Sequence, residues 1–416
     1  MAGELLLQLL TRISWSLEGP FKDCFTYVIG NNGTGKSHLL AALADQLAYS
    51  ELAPNVVCIS NSLYDRFKLK GPPGYQYLGA RAASNAVFRT SLDRQLFRQL
   101  LIASRKDRQR LKLLMETLGL EFEFTLTQYQ LTAGRSRQPN LDETGRPAPL
   151  MSEKDVRLAT SLMGDRHRFD RLSDSEIDAL LNLIHLKANV AVSVRVPKGE
   201  WLKFSLLSSG ELNRILLLAK VVAAIDVNTV LLIDEPEVSL HLHWQMGFHR
   251  SLRTLLRGFS NLHVVVATHS PILISEAAKV DPNSETNAVV IVERIAPLGV
   301  LSAETSVPMV PIRYATHTFS EVASHDQLVL RYFQTAPYQG REVSIEVADA
   351  LLDVAEGAKP QEAIRVLQAL RDAEGLDPKD RRHIDEAVQL IERGTVASVA
   401  RQLEPGDGVA AQPKGN

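Results

Sequence analysis

The sequence predicts an α/β fold built on a parallel sheet, with a helical insertion in its middle and a helical C-terminal region. Three observations predict it. The opening reads strand, glycine-rich loop, helix, strand, which is the order of a βαβ unit. Apolar strand-like runs return after residue 190, and one of them ends in paired acids. Elsewhere apolar residues recur at helical spacing.

Taken in order, residues 1–29 read as strands ending in the β-rich run Phe25, Thr26, Tyr27, Val28, Ile29. Residues 30–37 are a glycine-rich turn, 38–49 a helix and 56–60 a short strand. Residues 90–118 carry long helical character. Leu92, Leu96, Leu100, Leu111 and Leu114 follow one face, and Arg94, Arg98, Arg105, Arg108 and Lys112 another. Residues 121–129 alternate as a strand, and 135–149 are polar with Pro and Gly, as in a loop. Residues 173–187 read as a helix with Ser173 as its N-cap. This block has no sustained heptads of the coiled-coil kind.

The strand runs 230–233, 263–267 and 288–292 complete the α/β core, the last of them closing it. From residue 320 to 391 the chain is helical, and 404–416 is Gly/Pro-rich and expected to be disordered. The expected organisation is an N-terminal lobe (1–89), a mainly helical insertion (90–189), a C-terminal lobe (190–319), a helical region (320–403) and a tail.

The 416 residues are 45% hydrophobic, enough for a sizeable core, and the formal net charge of −2 makes no global case for nucleic acid or membrane. Cys24 and Cys58 lack metal-ligand spacing, so a reducing, cytoplasmic setting is expected. The first residues lack the basic start of a signal peptide, and no stretch has the uncharged length of a membrane helix. No membrane partner is expected.

Four elements carry chemistry. Gly30, Asn31, Asn32, Gly33, Thr34, Gly35, Lys36 and Ser37 fit a phosphate-binding loop. Glycines let the backbone curl its N–H groups inward, and the following helix adds its positive end. Lys36 would reach the β- and γ-phosphates, and the Ser37 hydroxyl would ligate Mg²⁺. The second element is an apolar strand ending in Asp234 and Glu235. Asp234 would hold Mg²⁺ largely through its water shell, and Glu235 would orient the attacking water. The third is Leu207, Ser208, Ser209, Gly210 and Glu211, before a helix over 211–225. It reads either as an anion-recognising surface or as an ordinary N-cap. The fourth is His269, directly after the strand 263–267, at the sheet edge where ligands bind. A lone histidine there also suits a purely structural role.

The order and spacing of these four elements resemble the ABC-ATPase superfamily. Residues 30–37 match its Walker A. Residues 207–211 resemble its signature, as LSSGE rather than LSGGQ. Asp234 and Glu235 match Walker B and the catalytic glutamate, and His269 matches the switch histidine. Within the superfamily, DEPEVSLHLHWQ and ATHSPIL resemble the RecF/OLD-like ATPases of DNA repair and of anti-phage systems of the Septu, retron-associated and PARIS types. Glu237, Leu240, His241 and Gln245 fit the family pattern EPExxLHPxxQ, while Leu242 stands in place of its proline.

The resemblance implies a P-loop NTPase fold of the ABC type, ATP and Mg²⁺ as cofactors, and Mg²⁺-dependent ATP hydrolysis. It implies a head-to-tail homodimer, or a higher homo-oligomer, in which Ser208, Ser209, Gly210 and Glu211 of one copy close on ATP held by the other. Gln76 falls near where the family places a metal-binding glutamine.

Downstream of residue 300, Asp349, Asp353, Asp377 and Asp380 sit in helical or turn-like contexts, so no nuclease domain with acids at strand ends is expected. The leading expectation is therefore an ATPase switch whose effector, a nuclease or toxin, is a separate protein. A repair ATPase binding DNA itself is the alternative, and a transporter subunit is a third. Residues 89–112 bear on the alternative, with eight Lys/Arg against two Asp. That face is either a nucleic-acid surface or a solvated helix. The C-terminal helices have apolar stripes at Ala348, Leu351 and Leu352, at Ile364, Leu367 and Leu370, and at Ile384, Val388 and Ile391, delimited by Pro360 and Pro378. They would pack on the ATPase core or dock a partner.

Overall fold

The chain opens on a helix where strands were expected. In the computed structural model, α1 (Ala2–Glu18) buries Leu5, Leu9, Ile13 and Leu17. These positions lie four apart and so share one helical face. Leu6, Leu7 and Leu10 fill the gaps and mask the period in the sequence. The structure describes residues 2–19, 23–82, 89–128, 152–184, 189–238, 240–294, 312–322, 341–355, 357–372, 376 and 378–393. The loop expected over 135–149 and the tail over 404–416 lie outside them.

β1 (Asp23–Ile29), α2 (Lys36–Ala48), β2 (Asn55–Ser60) and β3 (Tyr75–Tyr77) follow α1. The helical stretch 90–118 is two helices, α3 (Arg89–Lys106) and α4 (Arg108–Leu118). Asp107 parts them: its backbone is extended and its carboxylate accepts from Gln109 N at 2.8 Å, capping α4. Next come β4 (Glu121–Gln128), α5 (Glu153–Ser161), β5 (Arg166–Arg168), α6 (Asp174–Ile184), β6 (Asn189–Arg195) and β7 (Leu202–Lys203). Ser173 caps α6: its hydroxyl accepts from Glu176 N (3.3 Å), and the Glu176 carboxylate accepts from Ser173 N (2.7 Å). The order continues with α7 (Ser209–Ala224), β8 (Thr229–Asp234), α8 (Leu242–Leu256), β9 (Leu262–Thr268), α9 (Pro271–Val280), β10 (Ala288–Arg294) and β11 (Ile312–Thr318).

Among the described residues the core sheet has seven strands in the order β11-β10-β1-β9-β8-β2-β3, parallel throughout except for β10 with β11. The fold is that of a P-loop NTPase, mixed α/β with a mostly parallel sheet. β10 does not close the core, contrary to the expectation from sequence. β11 does, and its alternation is faint because most of this edge strand faces solvent. A parallel sheet needs cover on both faces. Leu5 and Ile13 of α1 join Leu40 and Leu47 of α2 over Val28, Leu232 and Val265. On the opposite face, the Tyr27 hydroxyl lies 2.9 Å from His249 Nδ1 of α8. Register then decides where chemistry can occur. Ile29 stands beside Thr268, and Asp234 beside Ala267, so β1, β8 and β9 end together at one edge.

A second, antiparallel sheet has the order β5-β4-β6-β7. Phe97 of α3 packs against its Phe124, ring centroids 4.8 Å apart, and against Phe169 at 5.6 Å. β6, at the expected return of the α/β core, pairs with β4 instead, so the expected boundary at 189–190 cuts through this sheet. Apolar alternation marks a strand but not which sheet receives it.

The chain divides into two compact units, residues 1–323 and 324–416. In the second, α10 (Arg341–Ala355), α11 (Pro360–Arg371) and α12 (Pro378–Glu392) bury their stripes against one another, through Val343, Ala350, Leu367, Leu370, Ile384 and Ile391. Pro360 and Pro378 open their helices, where a missing N–H costs nothing. The stripe expected on α10 is displaced: Leu352 is 55% exposed, while Val343 and Ala350 are buried. Because these helices share a core of their own, a chain ending at residue 323 is expected to stay folded and to bind ATP. Circular dichroism melting and an ATP-binding assay check this. Aggregation of that chain would show that the first unit depends on the second.

Candidate functional site

The phosphate loop joins β1 to α2 and needs glycine for two different reasons. A Cβ on Gly30 would stand 2.3 Å from the Val292 carbonyl oxygen of β10, so no larger residue fits there. Gly35, the N-cap of α2, has φ 88, a left-handed conformation that costs other residues. The first N–H groups of a helix have no partner within it, so those of α2 are available to an anion held by the loop. Lys36 is buried, and its Nζ donates to the carbonyls of Gly30 (2.7 Å) and Asn31 (3.1 Å). Burial lowers its pKa, with Glu235, Glu237 and Asp234 opposing that effect. Asn31, Asn32 and Gly33 are exposed, while Thr34 is buried and its hydroxyl donates to Asn31 O at 2.9 Å.

Ser37 Oγ donates to Asp234 Oδ1 at 3.2 Å, joining the start of α2 to the end of β8. Burial pushes the Asp234 carboxyl up to about 7. The Ser37 hydrogen bond opposes this, and the nearby Glu235, Asp65 and Glu237 charges reinforce it. A buried carboxylate crowded by other acids calls for a cation. A hydroxyl and a carboxylate side by side are hard oxygen donors of the kind Mg²⁺ takes, together with waters and phosphates. The donor set therefore fits Mg²⁺ with ATP. Glu235 is half-buried, with φ 49, a left-handed backbone that is unusual for a side chain of its size. Its N–H donates to Ala267 O at 2.9 Å, which fixes it against β9.

His269 follows β9 directly, and its side chain is 41% exposed. Its backbone N–H donates to Glu237 Oε1 at 2.6 Å. Its ring Nδ1 lies 3.0 Å from the same oxygen, a charge contact rather than an aligned hydrogen bond. The structure thus brings together Lys36, Ser37, Asp234, Glu235 and His269.

The signature-like residues stand apart as a helix start. Ser208 caps α7: its hydroxyl accepts from Glu211 N (3.3 Å), and the Glu211 carboxylate accepts from Ser208 N (2.9 Å). Ser208 and Ser209 are exposed and Gly210 is buried. Within one chain this is the N-cap form, with an outward-facing helix N-terminus.

Gln76 is not brought to the group. It lies exposed on β3 at the sheet edge, in register with Val57, three residues before the Ser60 that stands beside Asp234. Position in sequence placed it near the metal, and strand register sets it back from the carboxyl edge. Leu242 occupies the first position of α8, after His241 as N-cap. Proline is favoured at that position, so leucine in its place leaves the turn intact. Among the described residues there is no cluster of three or more His, Cys, Asp or Glu suited to holding a metal ion, so His241, His243 and His249 form none.

Sequence reasoning gave no role to Asp65. It is buried, accepts from Tyr77 Oη at 2.7 Å and from Arg81 Nη2 at 2.7 Å, and its charge reaches Asp234. Nothing in its sequence neighbourhood signals this role. Lys220 of α7 is also buried, and burial lowers its pKa to about 8, opposed by Asp65.

Five of the eight Lys/Arg in the basic stretch 89–112 pair with acids of the same chain. Arg105 pairs with Asp178 (2.7 Å), Lys106 with Asp226 (2.8 Å), Arg108 with Asp174 (2.8 Å), Arg110 also with Asp226 (3.1 Å), and Lys112 with Glu116 (3.9 Å). Among the described residues no helix is long and apolar enough to cross a membrane.

Residues 84–275 match the family described as "AAA domain, putative AbiEii toxin, Type IV TA system". The match spans less than half of the chain. It takes in residues 207–211, Asp234, Glu235 and His269, and begins after the phosphate loop. It supports an AAA/ABC-type P-loop ATPase, a class that generally binds ATP with Mg²⁺. A search of curated proteins gives no match to the chain.

Proposed function

We propose that the chain is the ATP-binding and hydrolysing switch subunit of a multi-protein assembly. It works as a head-to-tail homodimer or within a higher homo-oligomer, and it controls a separate effector, a nuclease or toxin, in cytoplasmic anti-phage defence. The observation that carries the ATPase reading is the meeting of Lys36, Ser37, Asp234, Glu235 and His269 at the ends of β1, β8 and β9. The defence setting rests on motif resemblance and on the toxin–antitoxin wording of the matched family, an argument by analogy.

In this reading Lys36 and the N–H groups of the loop hold the β- and γ-phosphates. Ser37 and Asp234 hold Mg²⁺, which when bound neutralises phosphate charge. Glu235 orients the attacking water and accepts its proton. His269 lies at the γ-phosphate. Ser209 and Gly210 of the second copy close the site through the exposed start of α7. Hydrolysis removes the charge that bridges the copies, and the dimer loosens. Internal pairing of Arg105, Lys106, Arg108 and Arg110 weighs against direct DNA binding through this stretch.

Capture from the native host in the presence of ATP, followed by mass spectrometry, tests the assembly. A nuclease or toxin retained with ATP supports the switch reading. ATPase activity that rises with DNA, with binding that falls steeply in salt, would favour a DNA-binding enzyme instead. Ser209→Arg tests the partner contact. The exposed Ser209 side chain makes the substitution tolerable within one chain, so ATP affinity should stay nearly unchanged. Dimerisation with ATP should disappear on size exclusion, and a persistent ATP-dependent dimer would reject the role of α7 in trans.

A further inference from the structure

Glu237 is a buried acid near the site that hydrolysis as described above does not employ. Its side chain is only 3% exposed. One oxygen, Oε1, accepts from Thr268 Oγ1 at 2.7 Å and from His269 N at 2.6 Å, and lies 3.0 Å from His269 Nδ1. The other, Oε2, is buried without a hydrogen-bond partner. A carboxylate in that setting is costly unless a cation accompanies it. A second bridge ties the same two loops. Gln245 Nε2 donates to Leu240 O at 3.1 Å, and Ser270 Oγ donates to Gln245 Oε1 at 2.8 Å. The segment after Asp234 is thus clamped to the segment after β9 on both sides of His269.

We propose that Glu237 is a positioning residue for hydrolysis: its carboxylate locks the turn at Thr268 and His269 and aims the imidazole, so that Nε2 meets the γ-phosphate of bound ATP. This rests on the ATPase reading above. The charges facing the ring are Glu237 and Glu235, both after β8, and Lys36 at the start of α2. Glu237 raises the pKa of the ring most, burial opposes it, Glu235 adds to it and Lys36 subtracts. Reciprocally, burial pushes the Glu237 carboxyl up, but His269 and Thr268 outweigh burial and hold it below the usual carboxylate range. The Glu237 carboxylate thus favours the protonated ring, which donates hydrogen bonds at both nitrogens.

The test uses the full chain as wild type, Glu237→Gln, His269→Ala and the double variant, with Lys36→Ala as reference. Glutamine keeps an oxygen acceptor for Thr268 and removes the charge. Single-turnover hydrolysis should slow by roughly 10- to 100-fold in each single variant, the usual cost of losing a group that orients another. ATP affinity should hold, and the double variant should be no slower than His269→Ala, because Glu237 acts through the ring. Losses that multiply in the double variant, or a Glu237→Gln protein at wild-type rate, overturn the proposal. If wild type and Lys36→Ala are equally inactive, the ATPase reading itself falls, and this proposal with it.

Should Glu237→Gln fail to fold, ¹⁵N-histidine spectra of the wild type decide, with the His269 signal identified by its loss in His269→Ala. A midpoint for His269 above that of free histidine supports the pairing. A midpoint at or below it overturns the proposal.

Discussion

A Glu235→Gln protein is expected to bind ATP and hydrolyse it about 10²- to 10⁴-fold more slowly than wild type, the range lost with a general base. The carboxamide preserves shape and cannot take a proton from water. The backbone around Glu235 should not change, because its left-handed φ of 49 and its N–H bond to Ala267 O involve no side-chain atom. Melting temperature should therefore stay near that of wild type. Arrested before hydrolysis, the protein should collect as an ATP-bound dimer on size exclusion. Phosphate release at wild-type turnover would remove Glu235 from the chemistry.

Lys36→Ala is expected to weaken ATP binding at least about 100-fold, the equivalent of two charge-assisted hydrogen bonds at about 1.5 kcal/mol each. Without nucleotide, Lys36 donates to Gly30 O and Asn31 O, and binding would draw the ammonium from these carbonyls to the phosphates. Alanine leaves the carbonyls without their donor, so a modest fall in melting temperature should accompany the loss. Thermal shift separates the two effects. ATP should raise the melting temperature of wild type by mass action and leave that of the variant flat. Isothermal titration gives the affinities, and wild-type affinity in the variant would exclude the loop as the phosphate site.

The phosphate loop, the strand ending in Asp234 and the strand before His269 were legible because each pairs a short apolar run with polar residues at its end. Other features depended on partners far away in sequence. The period of α1 was hidden by leucines on its other faces. β11 was hidden because an edge strand faces solvent and needs no apolar run. β6 read as core because alternation does not name a neighbouring strand. Gln76 was misplaced for a related reason, since distance along the chain from Lys36 says nothing about the register of β3 beside β2. The internal ion pairs of α3 and α4 could not be read either, because Asp174, Asp178 and Asp226 approach only after folding.

Protein synthesis meets this architecture in an awkward order. Ser37 and Asp234 are 197 residues apart. At about 5–20 residues per second, the phosphate loop precedes its carboxylate by roughly ten to forty seconds on the ribosome. β1 emerges earlier still, while both of its sheet neighbours, β9 and β10, remain untranslated. A strand that apolar waits with both edges open, and contacts this distant in sequence form slowly. A chain stalled before Asp234 carries Lys36 without the carboxylate at the end of β8, and one stalled before residue 269 lacks His269. In the proposed reading the site is complete only once the chain has been made through residue 269, and a translation product that stops short of it lacks part of the site.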